Sequence, residues 1–232
     1  MKNSGWPKWS ALLLLAAFLI EIHTPAYSEQ QTAANQALDA RRDLPEVHAG
    51  LQEALVQIAK VYHLAMVIEL GQPLPSVRIP AGTMSARQAL ALVAKSDVGY
   101  DWRLHGSVIH FYDKKLRIEP LNFLNWRLDK FAISGTVADV DLRLKSELNK
   151  LRDRVIAEGG LIVGLRPTEL ARDRLPTVVL RDVTARQVLF RVADMNPHFY
   201  TVVVFPRRSS VTRADLDQAF ANWRWAALEA EH

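Results

Sequence analysis

The chain has 232 residues, 49% of them hydrophobic and 23% charged, a formal net charge of +4 and no cysteine. This is a globular composition with room for one or two domains. The missing thiols exclude a disulfide-stapled scaffold, a cysteine zinc site, a thiol nucleophile and a lipidated cysteine.

Met1-Lys2 and Lys8 precede the apolar run Ala11–Ile20. Ten residues of helix cover about 15 Å, roughly half of a bilayer core of about 30 Å. Thr24-Pro25 then breaks the run, and Ala26-Tyr27-Ser28 offers small residues at the two positions a signal peptidase tests. The pattern predicts a signal peptide over residues 1–28, cleaved after Ser28, and a periplasmic mature chain without a membrane span. An uncleaved anchor is the alternative, and Glu21 and His23 shorten the apolar run against it. Residues 29–44 are polar and poor in aromatic residues, and read as a flexible lead or frayed helix.

A first module is expected over residues 45–113. A short strand at Glu46–His48 leads into a helix with the stripe Leu51, Leu55, Ile58, Ala59 and Tyr62. Strands follow at Ala65–Glu69 and Val77–Ile79, then a helix capped by Ser85, then strands at Tyr100–Trp102 and Ser107–Tyr112. The linker 114–129 contains Pro120 and alternating apolar residues, which favours order. A second module over residues 130–206 opens with a strand at Phe131–Ser134. A longer helix with Val140, Leu144, Leu148, Leu151 and Val155 comes next. Gly159-Gly160 ends it, and a strand at Leu161–Val163 follows.

The two modules share a repeat. Ser85-Ala86-Arg87-Gln88-Ala89-Leu90-Ala91-Leu92-Val93-Ala94 aligns with Thr184-Ala185-Arg186-Gln187-Val188-Leu189-Phe190-Arg191-Val192-Ala193 at a constant offset of 99. An aliphatic run precedes each copy, and an aromatic strand follows each. Arg87-Gln88 and Arg186-Gln187 fall on the outward face, as a binding pair or a solvated surface. Each copy reads strand, helix, strand, strand, helix, strand. The fold class is therefore α+β: two tandem small βαββαβ modules, each a small sheet with two helices on one face, plus a C-terminal helix over 207–232. In that last helix Thr212 is the expected cap, and Leu216, Phe220, Trp223 and Ala227 form the apolar face. Trp225 lies about 200° from Trp223, so a partner or a second surface must receive one of them.

Leu51–Ala59 followed by a strand, Val77–Pro80 before Ser85–Leu90, and Gly99-Tyr100 before an alternating strand resemble the short N-terminal domain of secretins and TonB-dependent receptors, the STN domain. The resemblance is clearest over residues 45–113 and looser over 130–206, where the longer helix and the insertion Pro167–Leu175 depart from it. It implies a periplasmic docking or signalling unit. The expected partner is an envelope protein: a secretin, a TonB-dependent receptor or a signalling component.

Motifs for chemistry are missing. No H-x-x-x-H, G-x-S-x-G, G-x-x-x-x-G-K or G-x-G-x-x-G occurs, so no catalytic, metal or cofactor residues are assigned and no cofactor is expected. His105 and His110 flank a turn at Gly106, and their spacing puts them on opposite faces unless the turn shifts the register. Asp139 and Asp141 open a helix, where its dipole favours anions. From Glu29 to Asp113 there are 7 basic and 9 acidic residues; from Lys114 to His232 there are 20 and 15. The basic second half, with Arg166, Arg172 and Arg174, could meet an anionic glycan or lipopolysaccharide; the export signal disfavours nucleic acid. Candidate partner-binding residues are Arg166, Arg172, Arg174, Tyr100, Trp102, Trp223 and Trp225. The leading expectation is a non-enzymatic interaction module. The alternative is a binder or enzyme acting on peptidoglycan or lipopolysaccharide.

Overall fold

A computed structural model of the chain describes residues 24–119, 122–155, 174–197, 199–206 and 213–227. The apolar run Ala11–Ile20, the expected strand Leu161–Val163, and Arg166 and Arg172 lie outside these residues. In chain order the elements are α1 (Thr24–Asp39), β1 (Arg41–Leu44), β2 (Val47–Gly50), α2 (Leu51–Tyr62), β3 (Met66–Gln72), β4 (Ser76–Ile79), β5 (Gly82–Ser85), α3 (Ala86–Lys95), β6 (Tyr100–His105), β7 (Val108–Asp113) and α4 (Lys114–Ile118). A 3₁₀ turn (Phe123–Asn125) then leads to β8 (Arg127–Thr136), α5 (Val137–Val155), β9 (Arg174–Thr184), α6 (Ala185–Met195), β10 (Phe199–Pro206), α7 (Arg213–Asn222) and β11 (Arg224–Ala227).

Local sequence accounts for the helices. The α2 stripe Leu51, Ala54, Leu55, Ile58, Ala59 and Tyr62 is buried, and His63 closes the helix in the left-handed region at φ 53°. Ser85 and Thr184 each cap a helix: each hydroxyl accepts from the backbone N–H of Gln88 or Gln187, whose side chain bonds back to the cap. Such a cap contributes about 1 kcal/mol. Thr136 does the same for α5: its hydroxyl accepts from Asp139 N at 3.2 Å, and the Asp139 carboxylate accepts from Thr136 N at 2.8 Å. Those bonds from Thr136 hold the Asp139 carboxyl below its usual range. Gly135 precedes this cap at φ 84°, and a Cβ there would sit 2.6 Å from the Asp139 carboxylate, so the turn requires glycine.

The expected pair of separate sheets is not what the described strands build. They join one mixed five-stranded sheet in the order β11-β10-β3-β7-β6, together with three two-stranded ribbons, β1-β5, β2-β4 and β8-β9. The junction is a parallel pairing of β10 with β3, in which Tyr200 lies opposite Met66 and Val203 opposite Glu69. Apart from Glu69 and Thr201, the buried residues of both strands are mainly apolar on both faces, which suits the interior of a sheet covered on two sides. Met66, Ile68, Leu70, Phe111, Val202 and Val204 pack with α2 and α3 in one core. Val67, Phe199, Val203 and Phe205 face the other way and pack with α5, α6 and α7. The helices thus lie on both faces of a shared sheet. Each core also draws strands from both halves of the chain.

Other expectations change as well. α1 runs from Thr24 through Ser28 to Asp39, and Leu38 near its end is completely buried, so the lead includes a helix whose C-terminal turn is docked. The described part of the linker is ordered, in line with its sequence: Leu116, Phe123, Leu124 and Trp126 are all core residues. The C-terminal helix stops at Asn222, and Trp225 belongs to β11, which pairs with β10. The switch from helix to strand lets both indoles point into one core, which a continuous helix could not do. Among the described residues no helix is long and apolar enough to cross a membrane.

Two ribbons match in register. Arg41 lies opposite the cap Ser85, and Arg127 lies opposite the cap Thr184. The N3 carboxylate Glu53 bonds to Gly50 N, as Asp139 bonds to Thr136 N. Leu38 and Leu124, Ile58 and Leu144, and Tyr62 and Leu148 are buried at corresponding places. The correspondence fails inside the second long helix: Leu55 and Ala59 of α2 are replaced by Asp141 and Lys145 of α5, which are also buried.

Candidate functional site

Glu69 is the acid in an otherwise apolar central strand, and it is fully buried. Strand alternation turns it away from α2 and α3 and toward α6. There the Arg186 guanidinium closes on it in a two-pronged pair: Nε donates to Glu69 Oε1 and Nη2 to Oε2, the latter at 2.8 Å. His110 on β7 donates from Nε2 to Oε1 at 2.7 Å, and Asn122 donates from Nδ2 to Oε2 at 3.3 Å. The third Arg186 nitrogen, Nη1, reaches Asn125 Oδ1. Asn125 in turn donates to Glu119 O at 2.9 Å and to Arg117 O at 3.1 Å. The cluster ties β3, β7, the 3₁₀ turn and α6 together.

Burial pushes the Glu69 carboxyl up, but the bonds from Arg186 and His110 outweigh it and hold the group well below the usual carboxylate range. Burial pushes His110 down, and the bond to Glu69 only partly offsets this. A neutral His110 that donates from Nε2 leaves Nδ1 as an acceptor, and that atom is buried without a hydrogen-bond partner. His105 is also held below its usual value, first by burial, then by His110 whenever that ring is protonated, and by the guanidinium charges of Arg117, Arg103 and Arg186.

The two histidines share a face, contrary to the spacing argument. The two-residue turn Gly106-Ser107 sets His105 opposite Val108, which puts His110 on the same side of the hairpin. Their rings lie 5.7 Å apart, and Phe190 of α6 stacks on His105 at 4.5 Å and meets His110 edge-on at 5.1 Å. Phe190 seals the pair. Among the described residues no group of three His, Asp or Glu side chains could hold a metal ion.

A second polar cluster lies on α5. Lys145 Nζ donates to Asp141 Oδ2 at 2.9 Å and lies 5.3 Å from the Trp223 ring; both charged side chains are buried. Burial raises the Asp141 carboxyl, with Lys145 opposing. Arg152 Nη1 pairs with Asp217 of α7 at 2.7 Å.

The described binding residues expected from the sequence, Tyr100, Trp102, Arg174, Trp223 and Trp225, do not form one patch. Tyr100 is buried and donates to Gly71 O at 2.9 Å. Trp223 and Trp225 are buried with rings 5.8 Å apart, and Trp223 Nε1 donates to Thr201 Oγ1 at 2.8 Å. These three are core residues rather than surface anchors. Trp102 is half-buried on β6, with the Arg87 guanidinium 5.8 Å above its ring. Arg174 is exposed at the start of β9. Arg87 and Arg186, read as a binding pair or a solvated face, both bind within the chain. Arg87 holds Asp39 and Asn35 of α1, as Arg186 holds Glu69 and Asn125. Open clefts lie on the surface of the described residues. One of about 410 Å³ is lined by Ser134, Asp139, Arg143 and Ser146, and one of about 380 Å³ by Arg41, Met84, Leu92 and Lys95.

Sequence reasoning missed the Glu69 cluster, although a signal was present. A lone Glu inside the run Ala65–Leu70 and a lone His inside Val108–Tyr112 are costly to bury unless something pairs with them. Comparison with protein-family models and with curated proteins gives no match for the chain.

Proposed function

We propose that the chain is a non-enzymatic docking module of the bacterial envelope, built from two copies of an STN-like unit and delivered to the periplasm by its N-terminal signal. The observation that carries this reading is the sealed cluster at Glu69. Acid, guanidinium and imidazole converge there, and all of that chemistry joins the halves of the chain instead of facing a substrate. The matched caps, ribbon registers and buried positions support a duplicated unit. The basic, apolar and breaker pattern of residues 1–28 supports export.

The test has two parts. A periplasm-dependent reporter fused after His232 must be active, and activity must be lost when residues 1–28 are removed. A photo-crosslinking residue at exposed Leu92, in the cleft beside α3, must then trap a discrete envelope protein. A cytosolic reporter, or the absence of any adduct from several exposed positions, refutes the proposal.

A second reading has one observation in its favour. On the β8-β9 ribbon, exposed Lys130 and Arg181 lie directly opposite each other, with Arg174 exposed on the same strand. Like charges in that position destabilise unless an anion sits between them. Binding of lipopolysaccharide or peptidoglycan that weakens steeply with salt and is lost in Lys130→Gln/Arg181→Gln supports this reading.

A further inference from the structure

The junction of the two halves is itself a docking event, and its counterpart on the first half is vacant among the described residues. β10 is bonded on one side to β11 and on the other to β3. β6 corresponds to β10 by the same offset of 99 that aligns the capped helices α3 and α6. Yet among the described residues β6 has a strand neighbour on one side only, β7. Its outer edge carries backbone groups that no described strand receives: Trp102 N–H bonds instead to the Asp101 carboxylate at 2.9 Å.

The helix above each strand carries the matching arginine. Arg186 reaches past β10 and takes the Glu69 carboxylate of the neighbouring strand through Nε and Nη2. Arg87 sits above Trp102 of β6, and its Nε and Nη2 hold Asp39 of α1, at 2.7 Å and 3.3 Å. At the residue matching Asp39, the second half has the neutral Asn125, bonded to the remaining nitrogen of Arg186. Asp39 therefore occupies on Arg87 the fork that Glu69 occupies on Arg186. The Asp39 side chain is 59% exposed, so this pair is weakly held and exchangeable.

Resting on the docking reading above, we propose that the outer edge of β6 accepts a parallel strand from a protein partner, an apolar strand carrying a carboxylate opposite Leu104 that displaces Asp39 from Arg87. The register follows from the internal junction, where Glu69 lies opposite Val203, the counterpart of Leu104. Backbone bonds supply affinity and the carboxylate supplies specificity, the usual division in strand addition. The second copy of this chain is not the donor, because the acidic strand it displays, β3, is already paired on both sides by β7 and β10.

The probe is a lysine-flanked peptide with the β3 sequence Ala65–Gly71. It should bind the full chain and slow hydrogen exchange at Trp102 and Leu104. The same peptide with glutamine for its glutamate should bind about tenfold more weakly, as should the native peptide to Arg87→Gln. Asp39→Asn, which reproduces Asn125, should tighten binding severalfold; this gain cannot arise from misfolding. Leu104→Pro should abolish binding and leave the far-UV spectrum unchanged, because that amide points away from β7. Binding indifferent to Asp39→Asn and Leu104→Pro overturns the proposal, as does no binding to either the native chain or Asp39→Asn. Dimers of the chain that Leu104→Pro dissolves overturn the choice of occupant. In cells, an adduct from a photo-crosslinker at residue 92 but none from residue 104 leaves the docking function standing and removes the edge assignment. Adducts from neither remove both.

Discussion

Replacing Glu69 by glutamine keeps the shape of the side chain and one acceptor oxygen but removes the charge that faces Arg186. The Arg186 side chain is only 12% exposed, so it cannot turn to water for compensation. Breaking one partner of a buried pair costs about 3–5 kcal/mol, since the other charge remains in a poorly solvated place. Asn125 Oδ1 retains one bond to Arg186, which favours the lower half of that range. With a urea dependence of about 2 kcal/mol per molar, the unfolding midpoint of Glu69→Gln should fall by about 1.5–2 M. The assay is urea denaturation at pH 7, followed by far-UV circular dichroism and tryptophan fluorescence together. Trp223 and Trp225 report the second core, so coincident curves also test whether the halves unfold as one unit. Arg186→Met should cost a similar amount, and the double variant much less than the sum, with a coupling of about 2 kcal/mol or more. Additive effects, or a loss below about 1 kcal/mol for either single variant, would refute the view that this pair clamps the halves.

Other consequences are testable. His110 and His105 are held below their ordinary value of 6.5 when folded, so the unfolded chain binds more protons just below that pH. Stability from these groups is full above about pH 6.5 and declines as the pH falls below it; His110→Gln should flatten the slope of unfolding free energy between pH 5 and 7. The Glu69 carboxyl is held below its ordinary range, so its contribution is present above about pH 4.5 and fades in acid, and a pH titration of Glu69→Gln should lack that acid-side loss. Asp141→Leu with Lys145→Ala reproduces the α2 pattern and should be neutral or stabilising by about 1–4 kcal/mol in thermal unfolding. Ser85→Ala and Thr184→Ala should each lower stability by about 1 kcal/mol in the same assay, and either being silent would undercut the capping argument.

What the sequence made legible was local. The capping boxes at Ser85 and Thr184, the α2 stripe and the hairpin strands all depend on residues a few positions apart, whose periodicity is printed in the chain. The boundary errors have local causes too: the helix expected over 207–232 ends at Asn222 because Trp225 gains a place beside Phe199, with rings 5.1 Å apart. The parallel pairing of β10 with β3 was not legible, since it joins residues more than 130 positions apart and parallel partners carry no turn signal between them. The Glu69–Arg186 pair spans 117 positions for the same reason. The placement of His105 and His110 was recoverable from elementary hairpin geometry, because a two-residue turn preserves the face.

The parallel seam has a consequence for synthesis. β3 is made early, but the strand that covers its outer side ends only at residue 206. Until then an apolar ribbon of backbone donors and acceptors stays open, the kind of surface that recruits neighbouring chains. Truncated products that stop before β10 should aggregate, however well their own helices form.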